Sequence, residues 1–542
     1  MSHIESPAAL TAPRQSKLVR GLSLLNCFGP DEDGLRLSQL ALRAGVPLPT
    51  AHRLVHELEF AGMLERAGDQ LRLGQSLAQL GRRAQGHLRT LLDDALPLLM
   101  RLQTTTGCEV VFSACYGSQA LPIGRLSQVD GTTVISYAPR GSTLNSQLVA
   151  AAMRRHDGAA GAGRVITRGE AAGVGAAIHP QGTAIRAVIA LIGRDRETVA
   201  AAVPHLTAVA QWLNGQLTTP ARLAPAAPLP DLCQDTHSML ARGLNLLNGL
   251  RAGETRVTLT ELADRTGLPK STAHRLISVL IAYQFLQEGG SGIMFGPRLL
   301  ALSAQVPSRR LLCSAALPWQ RLLCEQNDAF SCLMVADPPV MDRLTCVFSD
   351  GPVASAIGRG ATGLAERLSS TAARAAVREA DPTGPFGLFA ENAGFSADTR
   401  GIGAGDARGV PPQVVASEHG YAMATAPEGL TALAVPIRTR RAAPDAALTL
   451  VLRTPAMRKL GTAVRAARNA AADIARVCAP SPGNRPPASP SPRDAAPRSG
   501  PRSPPAGRVP PRTSPPPHTP PELPRLGDLR QAAFNHPARQ SG

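Results

Sequence analysis

The chain has 542 residues, is 44% hydrophobic and carries a formal charge of +17. At ~100–200 residues per domain this length allows several domains. The basic balance favours a polyanionic partner without naming one. Only Lys17, Lys270 and Lys459 are lysines, so arginine supplies nearly all the positive charge. The Ala, Gly, Arg and Pro bias of a GC-rich coding sequence explains part of it. The nine cysteines form no C-x-x-C pair and no Cys/His cluster with zinc spacing, so buried reduced thiols are expected and no metal. The opening "MSHIESPAALTAPRQSK" lacks the apolar core of a signal peptide. No run of ~18 apolar residues predicts a membrane span, and a cytoplasmic, nucleoid-associated protein is the expectation.

Leu18, Leu22 and Leu25 recur at helical spacing in "LVRGLSLLN". A second helix follows in "LSQLALRAG", ended by Gly45, where a left-handed residue is wanted. Its cap position is Arg36, which cannot accept the capping bond. Pro47 lies close to the start of a third helix, "LPTAHRLVHEL", whose Leu54 and Leu58 face inward. Two short extended runs around Asp69 then predict a hairpin.

The same series returns further along the chain at an offset of 222 residues, without a gap. "LARGLNLLN" matches "LVRGLSLLN", and "LTELADRTGLPKSTAHRLI" matches "LSQLALRAGVPLPTAHRLV". Close to half the positions from 18 to 64 are identical to their counterparts, which marks an internal duplication. In this copy Thr258 and Glu261 form a capping-box pattern, Gly267 ends the second helix, and Gly289-Gly290 supplies the hairpin turn.

Helix, Gly-containing turn, helix and hairpin describe a winged helix-turn-helix, with the third helix placed to enter the DNA major groove. A helix N-terminus offers amides and a positive dipole to phosphates. The expected DNA-binding residues are therefore Pro47, Thr50, His52 and Arg53 in the first copy. In the second they are Pro269, Lys270, Ser271, Thr272, His274 and Arg275. Thr50, Lys270, Ser271 and Thr272 suit the phosphates, and the His-Arg pairs can reach base edges or phosphates. Leu48-Pro49 replaces Lys270-Ser271 in the first copy, which removes a cation and a hydroxyl. That copy reads DNA weakly or serves as the pairing partner of the second. The alternative for both copies is a winged fold kept for protein contacts, with the histidines plain surface residues.

"TLTELADRT" followed by "GLPKSTAHRLISVL", with the opening "LARGLNLLN", resembles the IclR family of bacterial transcription regulators. The resemblance covers about residues 236–305 and 16–85. It implies that each winged domain leads through a linker helix into a GAF-like α/β effector-binding domain. It also implies operator DNA as partner, dimerisation, and modulation by a small molecule such as an organic acid or aromatic catabolite. On this basis the fold class is α+β multidomain. Winged domain 1 spans 16–85, a shortened effector domain 86–217 and a linker 218–235. Winged domain 2 spans 236–305, a second effector domain 306–479, and a disordered Pro/Arg-rich tail 480–542. The tail holds nine arginines against three acids; it either holds DNA loosely or is a passive extension.

"SEHGYAMATAPEGLTALAVPIRTR" resembles the late strand pair of the family's effector domain. Ala432 and Leu433 stand where that family often has a cysteine. In the first module the helical stretch expected between Met153 and Gly163 is nearly missing, hence the shortened domain. The resemblance places "GRGATG" beside the ligand pocket, with Gly358, Ala361 and Thr362 as effector-binding residues. Read alone, the same string is a bare dinucleotide-loop motif without its βαβ setting. No Ser-His-Asp set, G-x-S-x-G, P-loop or H-E-x-x-H occurs, so no enzyme and no cofactor are expected. The reading is an operator-binding regulator, either a homo-oligomer or an intramolecular pseudo-dimer, with unequal half-sites. The alternative is a ligand sensor or dimerisation partner that no longer binds DNA specifically.

Overall fold

The structure is a computed structural model. It describes residues 16–29, 32–116, 119–137, 141–154, 163–179, 186–216, 238–251, 254, 257–289, 292–337, 340–349, 362–380, 413–417, 420–426, 429–438, 446–453 and 460–479. The linker (218–235) and the tail (480–542) expected from the sequence lie outside these residues, as do positions 236 and 237 at the start of the second winged domain.

Each head is built as its sequence dictates. In head one, α1 (Lys17–Asn26) is capped by Ser16, whose hydroxyl accepts from the Val19 amide at 3.2 Å. The second helix, α2 (Leu37–Ala44), ends at Gly45 with φ 63°, a conformation glycine adopts without a Cβ clash. Gln39 Oε1 accepts from the Arg36 amide at 2.9 Å. The Arg36 guanidinium instead pairs with Asp69 in the wing at 2.8 Å. Next comes α3 (Leu48–Phe60), with strand β1 (Leu35–Arg36) and the wing strands β2 (Leu64–Ala67) and β3 (Gln70–Leu73) forming one sheet. Head two repeats this with α8 (Met239–Asn248), α9 (Leu259–Thr266), α10 (Lys270–Ala282) and wing strands β10 (Leu286–Gly289) and β11 (Gly292–Phe295). Here the capping box is complete: Thr258 Oγ1 accepts from the Glu261 amide at 3.2 Å, and Glu261 accepts from the Thr258 amide at 2.9 Å. Both heads also share an ion pair not expected from the sequence. Arg43–Glu32 and Arg265–Glu254, each 2.6 Å, tie α2 or α9 to the loop before it.

The two heads share one hydrophobic core. Their first helices pack reciprocally. A Cβ on Gly21 would stand 2.6 Å from a Leu240 methyl, and one on Gly243 would stand 2.5 Å from a Leu18 methyl. Leu18 corresponds to Leu240 and Gly21 to Gly243, so the contact is its own mirror under the duplication, as an isologous interface requires. The helices that follow the wings, α4 (Gln75–Ala84) and α11 (Pro297–Ser303), cross at Gly81 and Ser303, again equivalent positions. These contacts define a local two-fold axis within one chain.

Long helices α5 (Gly86–Thr106) and α12 (Pro307–Asn327) lead into the α/β regions. The first holds β4 (Glu109–Tyr116), β5 (Gln119–Val129), β6 (Thr132–Ser136), α6 (Thr143–Arg154), β7 (Ile166–Arg168), β8 (Ala171–Ile178), β9 (Arg186–Gly193) and α7 (Arg196–Gln216). The second holds β12 (Phe330–Asp337), β13 (Val340–Ser349), α13 (Thr362–Ala380), β14 (Gln413–Ser417), β15 (Tyr421–Ala426), β16 (Leu430–Ile437), β17 (Ala446–Arg453) and α14 (Leu460–Cys478). In the first region α6 covers the sheet and is described over 12 residues to Arg154, against 19 for its counterpart α13; positions 155–162, on which the expected shortening falls, lie outside the described residues.

The two regions share a single 12-stranded sheet, order β14-β15-β16-β17-β12-β13-β6-β5-β4-β9-β8-β7. The join is the antiparallel pair β13–β6, running from Thr345 opposite Ser136 to Ser349 opposite Thr132. It is extended by the Tyr137 amide donating to Leu344 O at 3.0 Å. Each region thereby covers an edge the other would otherwise leave open. One core joins α5, α7 and α13 on the same side of the sheet, while α12 and α14 cover the other side of the second region.

Candidate DNA-reading surface and the ionic junction beneath it

The recognition helices are pinned by their apolar faces. Ala51, Leu54, Val55 and Leu58 are buried in α3, as are Ala273, Leu276, Ile277 and Leu280 in α10. Exposure alternates in the same way along the two helix-turn-helix units except at Val46/Leu268 and Phe60/Ala282. Pro47 and Pro269 occupy the N-cap positions with φ −56° and −55°. They are exposed and pre-set the chain for the helix start. Thr50 and Thr272 are half-buried, one turn in. His52, Arg53, Lys270, Ser271, His274 and Arg275 are all exposed. No acidic residue stands in the first turn of either helix, so nothing competes with an anion for the amides and dipole there. Among the described residues, no side-chain hydrogen bond or ion pair ties down the side chains of His52, Arg53, Lys270, His274 or Arg275. Each head thus brings its expected site residues together within the first two turns of one helix, all exposed except the half-buried threonine.

Gly358 and Ala361 lie outside the described residues. Thr362 opens α13, and its side chain too lies outside the description. Ala432 is fully buried on β16, in the core that packs against α13.

No pattern of local spacing announces the charged junction below the heads. Asp342 on β13 is buried and accepts from Arg89 of α5 and from Arg309 of α12, the latter at 2.5 Å. Burial works against its charge, but the two guanidiniums more than offset this and hold its carboxyl at about 2. Arg82 of α4 pairs with Asp337 at the end of β12. Next along β13, Arg343 contacts Asp93 of α5 at 2.5 Å and also pairs with Glu366 of α13. Its guanidinium lies 4.7 Å from the centroid of the buried Tyr137 ring, whose hydroxyl donates to Glu366 at 3.3 Å. Burial pushes the Glu366 carboxyl up, against the pull of Arg343. Arginines and acids that are distant in sequence meet here only because the two regions join. Among the described residues there is no group of His, Cys, Asp and Glu that could hold a metal ion, and no helix is long and apolar enough to cross a membrane.

Comparison with known proteins identifies the two heads. The IclR helix-turn-helix domain model matches residues 17–68 and again 239–290. The chain carries two IclR helix-turn-helix domains in tandem. A curated relative, the acetate operon repressor of Salmonella typhimurium, is 39% identical over 66 residues, 12% of this chain and 24% of the repressor. The chain thus spans about a quarter of that relative's length. Among solved structures, an IclR homolog from Microbacterium hydrocarbonoxydans complexed with 4-hydroxybenzoate is 23% identical. That match covers 37% of this chain and 98% of the other, at a TM-score of 0.29. A putative IclR regulator from Silicibacter is 21% identical, covering 46% and 100%, at a TM-score of 0.31.

Proposed function

We propose that this chain is a DNA-binding transcription regulator in which two winged heads form an intramolecular pseudo-dimer, the reading unit for one operator. The observation that carries this is the reciprocal packing of Leu18 on Gly243 and Leu240 on Gly21. It relates the two exposed recognition turns by a two-fold axis, as paired heads on half-sites require. The joined sheet raises the effective concentration of one head beside the other beyond what a linker alone would give. Because Leu48-Pro49 faces Lys270-Ser271 across that axis, the half-sites are unequal.

A small-molecule effector, an organic acid or aromatic catabolite, bound in the second α/β region then shifts the DNA-competent population. Support for such coupling lies in the junction. A shift of α13 would act on Glu366, through it on Arg343, and so on Asp93 of α5. That helix continues from α4, which crosses α11 beneath the heads.

Selecting bound duplexes from random DNA with the full chain tests the reading. Two spaced, unequal half-sites are expected. Arg275→Ala should lower affinity for the selected site, and Lys270→Ala should weaken binding to all sequences and reduce the salt slope by about one. Absence of enrichment at every salt concentration would overturn the reading in favour of a ligand sensor or a dimerisation partner.

A further inference from the structure

Head one differs from head two in what its recognition turn exposes, while burial at matching positions is almost unchanged. Leu48, the first residue of α3, is 51% exposed, and Pro47 and Pro49 beside it are exposed as well. The matching residues in head two are Pro269, Lys270 and Ser271. Leucine in this setting leaves about half of its surface, apolar throughout the side chain, in water. Its neighbours Thr50, His52 and Arg53 are retained from head two, so the surface around it keeps the character of a nucleic-acid contact. An aliphatic group at the mouth of a recognition helix has one apolar feature to meet in the major groove, the C5 methyl of thymine.

We propose that Leu48, backed by Pro49, reads a thymine methyl in the half-site of head one, where head two places the Lys270 cation and the Ser271 hydroxyl. This rests on the DNA-binding reading above and makes Leu48 a specificity-determining residue. It accounts for an apolar residue at a position otherwise suited to charge. It also assigns the two heads different chemistry: a methyl read by shape in one half-site and an electrostatic hold in the other.

Leu42 on α2 is still more exposed, at 83%, and could suggest a protein-docking patch shared with Leu48. Head two has Asp264 at the matching position. A carboxylate there would be repelled by phosphate, so the position lies off the DNA. This separates the two occupants: DNA reading uses Leu48 without Leu42, whereas a docked protein would use both.

The test uses the full chain and its selected duplex, with each thymine of the head-one half-site replaced in turn by uracil. Uracil keeps every hydrogen-bonding group and lacks only the methyl. One replacement should weaken binding about fourfold, the equivalent of one buried methyl at ~0.8 kcal/mol. Leu48→Lys should abolish that difference and steepen the salt slope by about one, while Leu42→Asp should leave both unchanged. Insensitivity of the wild-type chain to every uracil would overturn the proposal, as would survival of the difference in Leu48→Lys. If light scattering shows self-association that both Leu42→Asp and Leu48→Lys abolish, with no uracil effect, the patch is a protein interface instead. Failure of the DNA-binding reading itself is distinct, because then no duplex is enriched and Arg275→Ala has no effect.

Discussion

Replacing Asp342 by asparagine probes the junction that holds the two halves together. The Asp342 carboxyl is fully buried between Arg89 and Arg309 and sits at about 2 against an ordinary 3.8. At 1.36 kcal/mol per unit, that depression corresponds to about 2 kcal/mol of stability at neutral pH. Because the folded value lies below the unfolded one, this contribution is complete above pH ~4 and is lost as pH falls through about 2; roughly 1 kcal/mol of it is gone by pH 3. Asparagine preserves the shape but removes the carboxylate that Arg89 and Arg309 share, and breaking a buried pair from one side costs about 3–5 kcal/mol. Urea unfolding followed by tryptophan fluorescence in a Trp212→Phe background, which leaves Trp319, buried on α12 beside the second sheet, measures the loss in the transition that this residue reports. We expect a fall of about 3–5 kcal/mol at pH 7 and a narrower gap between variant and wild type at pH 3. A loss below about 1 kcal/mol at pH 7, or a gap that widens in acid, would refute the view that the two arginines depend on this carboxylate.

Gly21→Val should force a methyl into Leu240 and loosen the pairing of the heads. Overpacking of this kind costs about 1–3 kcal/mol, so the first thermal transition should fall, whereas Gly215→Ala, with nothing within 4 Å of the added Cβ, should leave it in place. Glu65, in the wing of head one, is pushed up to about 7 by burial, against the opposing pull of Arg72. Its charge therefore costs stability above pH 7, and the cost disappears as pH falls toward 4.5. Glu65→Gln should stabilise head one on the order of 1–3 kcal/mol at pH 8 and not at all below pH ~4.5, as read from melting at the two pH values.

Sequence by itself was enough for each head. A helix-turn-helix unit is short and locally encoded: apolar spacing sets the buried face, Gly45 and Gly267 stop the second helix, and the prolines set the start of the third. The expected DNA-contacting side chains follow, because residues on one short helix share a face by periodicity alone. The duplication was legible for the same reason, as a constant offset between two strings. What tertiary structure decided is how the copies meet. Nothing in "RGL" announces that Leu18 and Gly243 touch across 225 residues of chain, since a glycine facing a leucine is a matter of docking rather than of local preference. Nor could pairing of Thr132–Ser136 with Thr345–Ser349 be read from two extended runs whose partners are set by sheet order. Exposure of Leu48 and burial of Asp342 invert what their residue types predict. Each is decided by neighbours from elsewhere in the chain: the lack of cover over half of the leucine, and the convergence of two distant arginines on the aspartate.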